Sequence, residues 1–527
     1  MTLDGAAAAR RAATIKAATL PRLRRPAWGV RTAVVLVLLA GCAVAGAGIA
    51  ESNLQRLTVA AAIAAALGMA AVIAPDKALL GLAGWLVALG TLRRLAPGSE
   101  LAGLGDPLLL VGPAVLLILL MTTPARGGSR RFSVLAYSVL AFQVLAVLSA
   151  LNPLQGGLQV GLAGLLFVPA PVLGFWVGRA VEERTVARLL RFIAVMSIPV
   201  ALYGLWQTLV GFPPWDQVWI TQVASNYVAL NVGGAIRPFW SLSSAAEYAF
   251  VLGIGIVVLA AGMRRGRSTL VVGALMALLA ASVLLESVRT VAVTGLLALA
   301  VMVAARLRWS LARALAAGIV LVASIPTLVG LVTPQDVGSG LISGLVAHQL
   351  QGLSDPFGPS STLPLHIQIL LHGLTTSLSA PLGLGVGAVS IAASHFGGAT
   401  AGTEVDPGNA AVALGMPGLI LYLFIAATGL WRAYDLARTR GDFVSLALLG
   451  LLLVTALQWL NGGQYAVAWL VWVAFGAVDA AAPVRFFPEG RAADVRGNHA
   501  PRDSRQSTGP YGNRRAVVHA SPRPIDV

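Results

Sequence analysis

The sequence predicts an all-α fold: a polytopic membrane helical bundle of about 14 transmembrane helices, with a long outer loop carrying an amphipathic helix. Hydrophobic residues make up 57% of the chain, charged residues 11%, and the mean hydropathy is +0.81, more apolar surface than a water-soluble body can bury. The apolar residues come in runs close to the roughly 20 residues that a helix needs to cross a bilayer. The alternation of a barrel strand is absent, and in lipid an α-helix satisfies every backbone polar group within its own segment.

The runs fall at 31–50, 57–74, 78–92, 104–121, 132–151, 158–178, 192–211, 245–262, 268–285, 290–305, 314–332, 411–430, 443–460 and 464–482. Around them the chain divides into a basic N-terminus (1–30), a membrane domain (31–482) with long outer loops at 212–244 and 333–410, and a tail (483–527) whose Arg, Pro, Gly and Asp content reads as disordered. With the N-terminus placed in the cytoplasm, all but five of the 37 basic residues fall on the inner side, the bias expected of a correctly threaded topology. Both termini are then cytoplasmic. The long basic leader of the first run favours a retained anchor over a cleaved signal. The single cysteine, Cys42, excludes an intrachain disulfide and a cysteine metal site.

The five outer basic residues are Arg56, Arg93, Arg94, Arg237 and Arg289. Arg237 and Arg289 each lie against the start of an apolar run, where a charge is costly unless paired or facing water. Arg289 belongs to LLESVRTVAV (284–293), and Glu286 and Arg289 are the only charges between Ser268 and Ala305. Their spacing admits a local helical pair, contributing a few tenths of a kcal/mol. It equally admits the tight outer turn of a helical hairpin.

The loop at 212–244 carries Trp215, Trp219, Tyr227, Phe239 and Trp240, suited to the membrane boundary or to stacking on sugar. The loop at 333–410 holds His348, His366, His372 and His395. Within it, LPLHIQILLHGLTTSLSAP (363–381) reads as an amphipathic helix with Gln368, His372, Thr376 and Ser379 opposite Ile367, Leu370, Leu371 and Leu374. The glycine-rich LGLGVGAV that follows has no strand before it, so a dinucleotide fingerprint is not supported.

Arginine's forked donors match phosphate oxygens, and a nearby carboxylate or imidazole could accept a proton from an attacking hydroxyl. Those parts describe glycosyl transfer from a polyprenyl diphosphate sugar, with arginines stabilising the departing diphosphate and neither metal nor cofactor required. The order of AIRPFWSLSSAAEYAF, LLESVRTVAV, HIQILLHGLTTSLSAPLGLGVGAV and TEVDPGNAAVALGMPGLILYLF resembles the O-antigen ligase and O-antigen polymerase family, over roughly 190–430. That resemblance implies an undecaprenyl diphosphate-linked oligosaccharide donor, a glycan or lipid-glycan acceptor, membrane lipids as partners, and work at the outer face of a bacterial inner membrane. It casts Arg237 and Arg289 as the diphosphate-binding residues, with Glu286 in support.

Two departures from the family bear on the base. Many members carry a histidine closely followed by asparagine late in the loop, where this chain reads GTEVDPGNAAV, and a basic residue where His366 stands. Glu404 and Asp406 are therefore the first candidates for proton acceptor, His395 and His372 the reserve, and His366 orients the loop. Glu404 and Asp406 also fit loop solvation and an N-cap shared with Asn409. Ligase and polymerase stay open alternatives, and a transporter or flippase of lipid-linked oligosaccharide is the rival class.

Overall fold

The computed structural model describes residues 54–95, 106–123, 132–222, 231–232, 235–263, 268–286, 288–331, 341–358, 361–390, 393, 396, 398, 400–460 and 464–481. The run at 31–50 with Cys42, residues 1–30, Tyr227, His395 and the tail 483–527 lie outside the described residues.

A helix forms within every other apolar run. In chain order these are α1 (Leu54–Ile73), α2 (Pro75–Leu95), α3 (Val111–Thr122), α4 (Val134–Ser149), α5 (Leu158–Gly164), α6 (Pro169–Ala180) and α7 (Glu183–Leu209). There follow α8 (Pro214–Gln222), a two-residue hairpin of β1 (Asn231–Val232) and β2 (Ala235–Ile236), α9 (Ala245–Gly262), α10 (Ser268–Glu286), α11 (Arg289–Arg306) and α12 (Leu311–Gly330). The long loop contributes α13 (Leu341–Ser354) and α14 (Leu363–Ser379), and α15 (Asp406–Arg440), α16 (Phe443–Val454) and α17 (Tyr465–Ala481) complete the order. Among the described residues nine helical segments are long and apolar enough to cross a membrane, and four apolar helices are shorter.

Local chemistry explains the differences from the expected bounds. The run at 158–178 is divided because Pro169, lacking an N–H, starts α6 afresh. The run at 104–121 opens as a 3₁₀ turn at Pro107, capped by the Asp106 carboxylate accepting from the Leu108 N–H at 3.1 Å. Inside α15, Gly415 leaves helical geometry at φ 67°, ψ −163°, and a Cβ there would stand 1.9 Å from the Pro381 carbonyl oxygen. The glycine-rich segment after α14 crosses this kink, with Leu384 N–H donating to Val412 O at 2.7 Å.

In its most apolar window, 78% of α9 is buried, against 22% in α10 and 17% in α12. Thus α9 is central, packed on α7, α10, α11 and α16, while α10 and α12 turn most of their surface outward. The amphipathic helix forms as expected, but its buried positions are Gly373 and Ser377, packed on the start of α15, while Leu365, Leu371 and Leu378 stay exposed.

Polar groups collect at the two ends of the bundle. At one end Asp479 of α17 accepts from Ser133 Oγ at 2.5 Å and pairs with Arg179 at 3.2 Å and with Arg432. Arg440–Glu183 and Arg188–Asp76 pair nearby at 3.1 and 3.2 Å, so arginines expected on the inner side do share one end. At the other end Arg56 and Arg93 meet Asp106 at 3.1 and 2.8 Å, and Arg94 meets Asp216 at 2.8 Å.

Candidate functional site

LLESVRTVAV spans the junction of two helices, with Glu286 closing α10 and Arg289 opening α11. The alternative of a local Glu286–Arg289 pair is not what forms. Arg289 reaches α13 instead: Nη2 donates to the His348 carbonyl oxygen at 2.7 Å and lies 3.0 Å from His348 Nε2. A Cβ at Gly352, one turn on, would stand 1.8 Å from Arg289 Cζ, so only glycine leaves room for the guanidinium on that face.

Arg237 immediately follows β2, and β2 packs against α13. Burial holds Arg237 below the ordinary guanidinium range, opposed by the charge of Glu286. Both arginines act on His348, whose pKa is lowered first by burial, then by Arg289 and then by Arg237. Of the two arginines singled out in the sequence, Arg289 touches this imidazole, and the charge of Arg237 also bears on it.

Across this cluster stands a second pair. His366 Nδ1 lies 2.9 Å from Glu404 Oε2, joining α14 to the strand of chain that enters α15. The Glu404 hydrogen bond raises His366 above the usual imidazole value, while burial and the neighbouring Arg289 pull it down. The same bond lowers Glu404 below the usual carboxylate range, against burial. Gln458 Nε2 donates to the Glu404 carbonyl oxygen at 2.7 Å and steadies that backbone. Glu404 keeps 64% of its side chain exposed.

Asp406, although two residues away, has a different role. It is fully buried, accepting from Leu460 N–H and Tyr422 Oη at 3.0 Å each and from the Trp459 N–H. Its carboxylate ties α15 to the reversal between α16 and α17, which leaves it spent on donors rather than facing an acceptor hydroxyl. Nor is it the side-chain N-cap the sequence suggested: that position is Val405, and Asn409 Oδ1 instead accepts from the Thr403 N–H at 2.7 Å. His372 is exposed on α14, and its carbonyl oxygen accepts from Thr375 and Thr376 at 2.9 and 2.8 Å. It takes no part in the Arg289–His366–Glu404 cluster.

The start of α11 adds an anion-seeking feature. Val288 provides no side-chain cap, so the first-turn N–H groups point outward from the positive end of the helix dipole beside the Arg289 side chain. A cation at that end is disfavoured on its own. An anion there relieves both.

The sequence missed His348, which it offered only as one of four loop histidines. A weak signal was present: His348 and Gly352 are four apart on one helix, the spacing that stacks residues on one face. The aromatic reading of the first outer loop also needs correction. Trp219 and Phe239 are buried beneath Arg93 and Arg94, with guanidinium-to-ring distances of 5.2 and 4.9 Å, whereas Trp215 remains exposed. A cavity of about 170 Å³ between Gly178, Glu183, Arg440 and Ser445 lies at the opposite end of α15 from Glu404, and none of the cluster lines it.

Comparison with protein-family models and with curated proteins finds no match to this chain.

Proposed function

We propose that this chain is an O-antigen ligase- or polymerase-like glycosyltransferase that moves a glycan from a polyprenyl diphosphate carrier to an acceptor hydroxyl. The observation that carries the reading is the contact of Arg289 with His348, on which the charge of Arg237 also bears, beside the uncapped start of α11, with the His366–Glu404 pair adjacent. In this reading Arg237, Arg289 and the α11 N–H groups hold the diphosphate. The acceptor oxygen bonds to the anomeric carbon, the bond from that carbon to the phosphate oxygen breaks, and the carrier diphosphate leaves with the electron pair. The hydroxyl proton passes to Glu404 Oε1, because Oε2 is engaged by His366. His366, bonded to Glu404, faces the diphosphate charge, and His348 orients Arg289.

The same proposal carries a bundle of about 14 spans with both termini cytoplasmic and the site at the outer face of a bacterial inner membrane. Thiol labelling of Glu404→Cys from outside, and of Gly266→Cys only after permeabilisation, is the expected pattern. The reverse pattern overturns the topology.

The deciding experiment incubates purified protein with polyprenyl diphosphate-linked oligosaccharide and candidate acceptors, comparing the parent with Arg289→Ala. New glycosidic product from the parent alone is expected. A transporter or flippase of the same carrier is the second reading, favoured by the break of α15 at Gly415, and intact substrate crossing vesicles with no bond made selects it.

A further inference from the structure

The link between α4 and α5 inverts the usual hydrophobic pattern. Leu151, Leu154 and Leu158 are 66%, 60% and 57% exposed, while Gln155 among them is fully buried. Glutamine is mostly a surface residue, and its amide goes inside only where partners meet it. Here they do, at both ends. Gln155 Nε2 donates to the Ala150 carbonyl oxygen at 2.7 Å, and Oε1 accepts from the Gly387 N–H at 3.0 Å. One end must donate and the other accept without charge, which calls for an amide rather than a carboxylate or an apolar chain. Glycines leave room for it: a Cβ on Gly161 would stand 2.5 Å from Nε2, and one on Gly385 would overlap Oε1.

Gly387 belongs to the glycine-rich crossing that leads from α14 to the start of α15, the stretch of chain between His366 and Glu404. The same link holds this crossing a second time, because Asn152 Nδ2 donates to the Gly383 carbonyl oxygen at 2.8 Å. The backbone of α15 takes up Leu384 and Gly385, at 2.7 and 3.1 Å, and Gln155 takes up Gly387 beyond them. From there the connection runs on to the site. The Ala388 carbonyl oxygen accepts from the Ala401 N–H at 2.9 Å, three residues before Glu404. Ser149, at the end of α4, reaches α15 instead, its Oγ donating to the Ala413 carbonyl oxygen at 2.9 Å.

Resting on the glycosyl-transfer reading above, we propose that Gln155 is a positioning residue for that reaction, seating the glycine-rich crossing so that Glu404 stands within reach of His366. It touches neither the diphosphate nor the acceptor hydroxyl, and acts through the backbone from Gly387 to Glu404. Without it the Gly387 N–H and the Ala150 carbonyl oxygen lose this partner and the crossing shifts; a base displaced by about 1 Å loses on the order of 10²-fold in rate. Arg289, seated on α13, lies off this path, so donor binding is kept.

The test compares the parent with Gln155→Met, which keeps the length of the side chain and loses both hydrogen bonds. Ser149→Ala is the control, removing a bond from the same link to α15 rather than to the crossing. Turnover of polyprenyl diphosphate-linked oligosaccharide is measured beside the His366 pKa by NMR titration, which reads the contact because the Glu404 bond raises it against burial and Arg289. In Gln155→Met, kcat should fall by about 10–10²-fold with KM for the donor within about twofold, and the His366 pKa should fall with it. Ser149→Ala should leave the His366 pKa at the parent value. Should Gln155→Met not fold, Asn152→Ala, at a half-buried position, carries the test with the same sign and a smaller size. A parent-like His366 pKa in the folded variant, or an equal shift in Ser149→Ala, overturns the inference, since loosened packing alone would move both. If the parent forms no glycosidic product the transfer reading fails, while the His366 titration, which needs no substrate, still decides whether Gln155 places Glu404.

Discussion

Two groups of arginines stand at the same end of the bundle, and they are built on opposite plans. Arg56, Arg93 and Arg94 are buried to 1%, 3% and 4% exposure, and Asp106 and Asp216 meet them at 2.8 to 3.1 Å. Arg94 also donates to the Leu242 carbonyl oxygen at 3.1 Å and to that of Trp240, while Gln207 Oε1 accepts from the Phe239 and Trp240 N–H groups at 3.1 and 2.9 Å. These bonds clamp the backbone just after Arg237. Arg237 and Arg289 are only partly buried, and both lower the pKa of His348 behind the larger effect of its burial. The first group is paired with buried carboxylates and fixes a loop; in the second, Arg289 meets a histidine instead. Sign and sidedness alone, which is what the sequence displays, do not separate them.

The comparison breaks first at Asp106. Asp106→Ala strands Arg56 and Arg93 as buried unpaired charges, and a loss of about 3–5 kcal/mol is expected, seen as a lowered melting transition in detergent. An unshifted transition would mean that water reaches the clamp and that its burial is only apparent. Arg289→Ala should show the converse: turnover lower by about 10²–10³-fold, the scale of one lost transition-state donor, with melting close to the parent. Equal effects of the two substitutions on stability would erase the distinction.

Gly352→Ala is a finer probe. Its methyl group would occupy the place of the Arg289 guanidinium, 1.8 Å from Cζ, and a displacement of about 1 Å in a binding group costs on the order of 10²-fold in rate. Retained activity would show that Arg289 needs no fixed seat on α13.

The smallest effect concerns pH. Glu404 sits below its ordinary pKa, so its share of the His366 contact is present above the unfolded carboxylate value and is lost as pH falls through the lowered one. His366 sits above its ordinary pKa, so its share is complete below the unfolded imidazole value and is lost as pH rises through the raised one. The pair is whole between those limits. Both side chains are more than a third exposed, so screening keeps the stability gain to a few tenths of a kcal/mol. An NMR titration should find the His366 pKa lower in Glu404→Gln than in the parent; no change would remove Glu404 as its partner.

How much of this could be read in advance differs from residue to residue. The helices follow from runs of apolar side chains, a local property, and so does the amphipathic helix from 363 onward. The helix junction at Glu286–Arg289 was legible because two charges interrupt an otherwise apolar stretch. Glu404 and Asp406 look equivalent in TEVDPGN, yet one faces solvent beside His366 and the other is consumed by the α16–α17 reversal. Only the fold of residues near 460 back onto residue 406 distinguishes them. His348 gave no more than its spacing from Gly352, for the same reason: its partner lies on another helix.

By itself, then, the sequence determined the all-helical, membrane-like character of the chain, and it singled out Arg237 and Arg289 as charges set against apolar runs. Hydropathy and charge bias act through each segment's own transfer from water and need no neighbours. Tertiary packing decided which charge meets which, because Coulomb and hydrogen-bond energies depend on separations of a few ångströms between groups remote along the chain. That is why Arg289 answers to His348 rather than to Glu286, and why Asp406 holds the frame while Glu404 stays exposed beside His366.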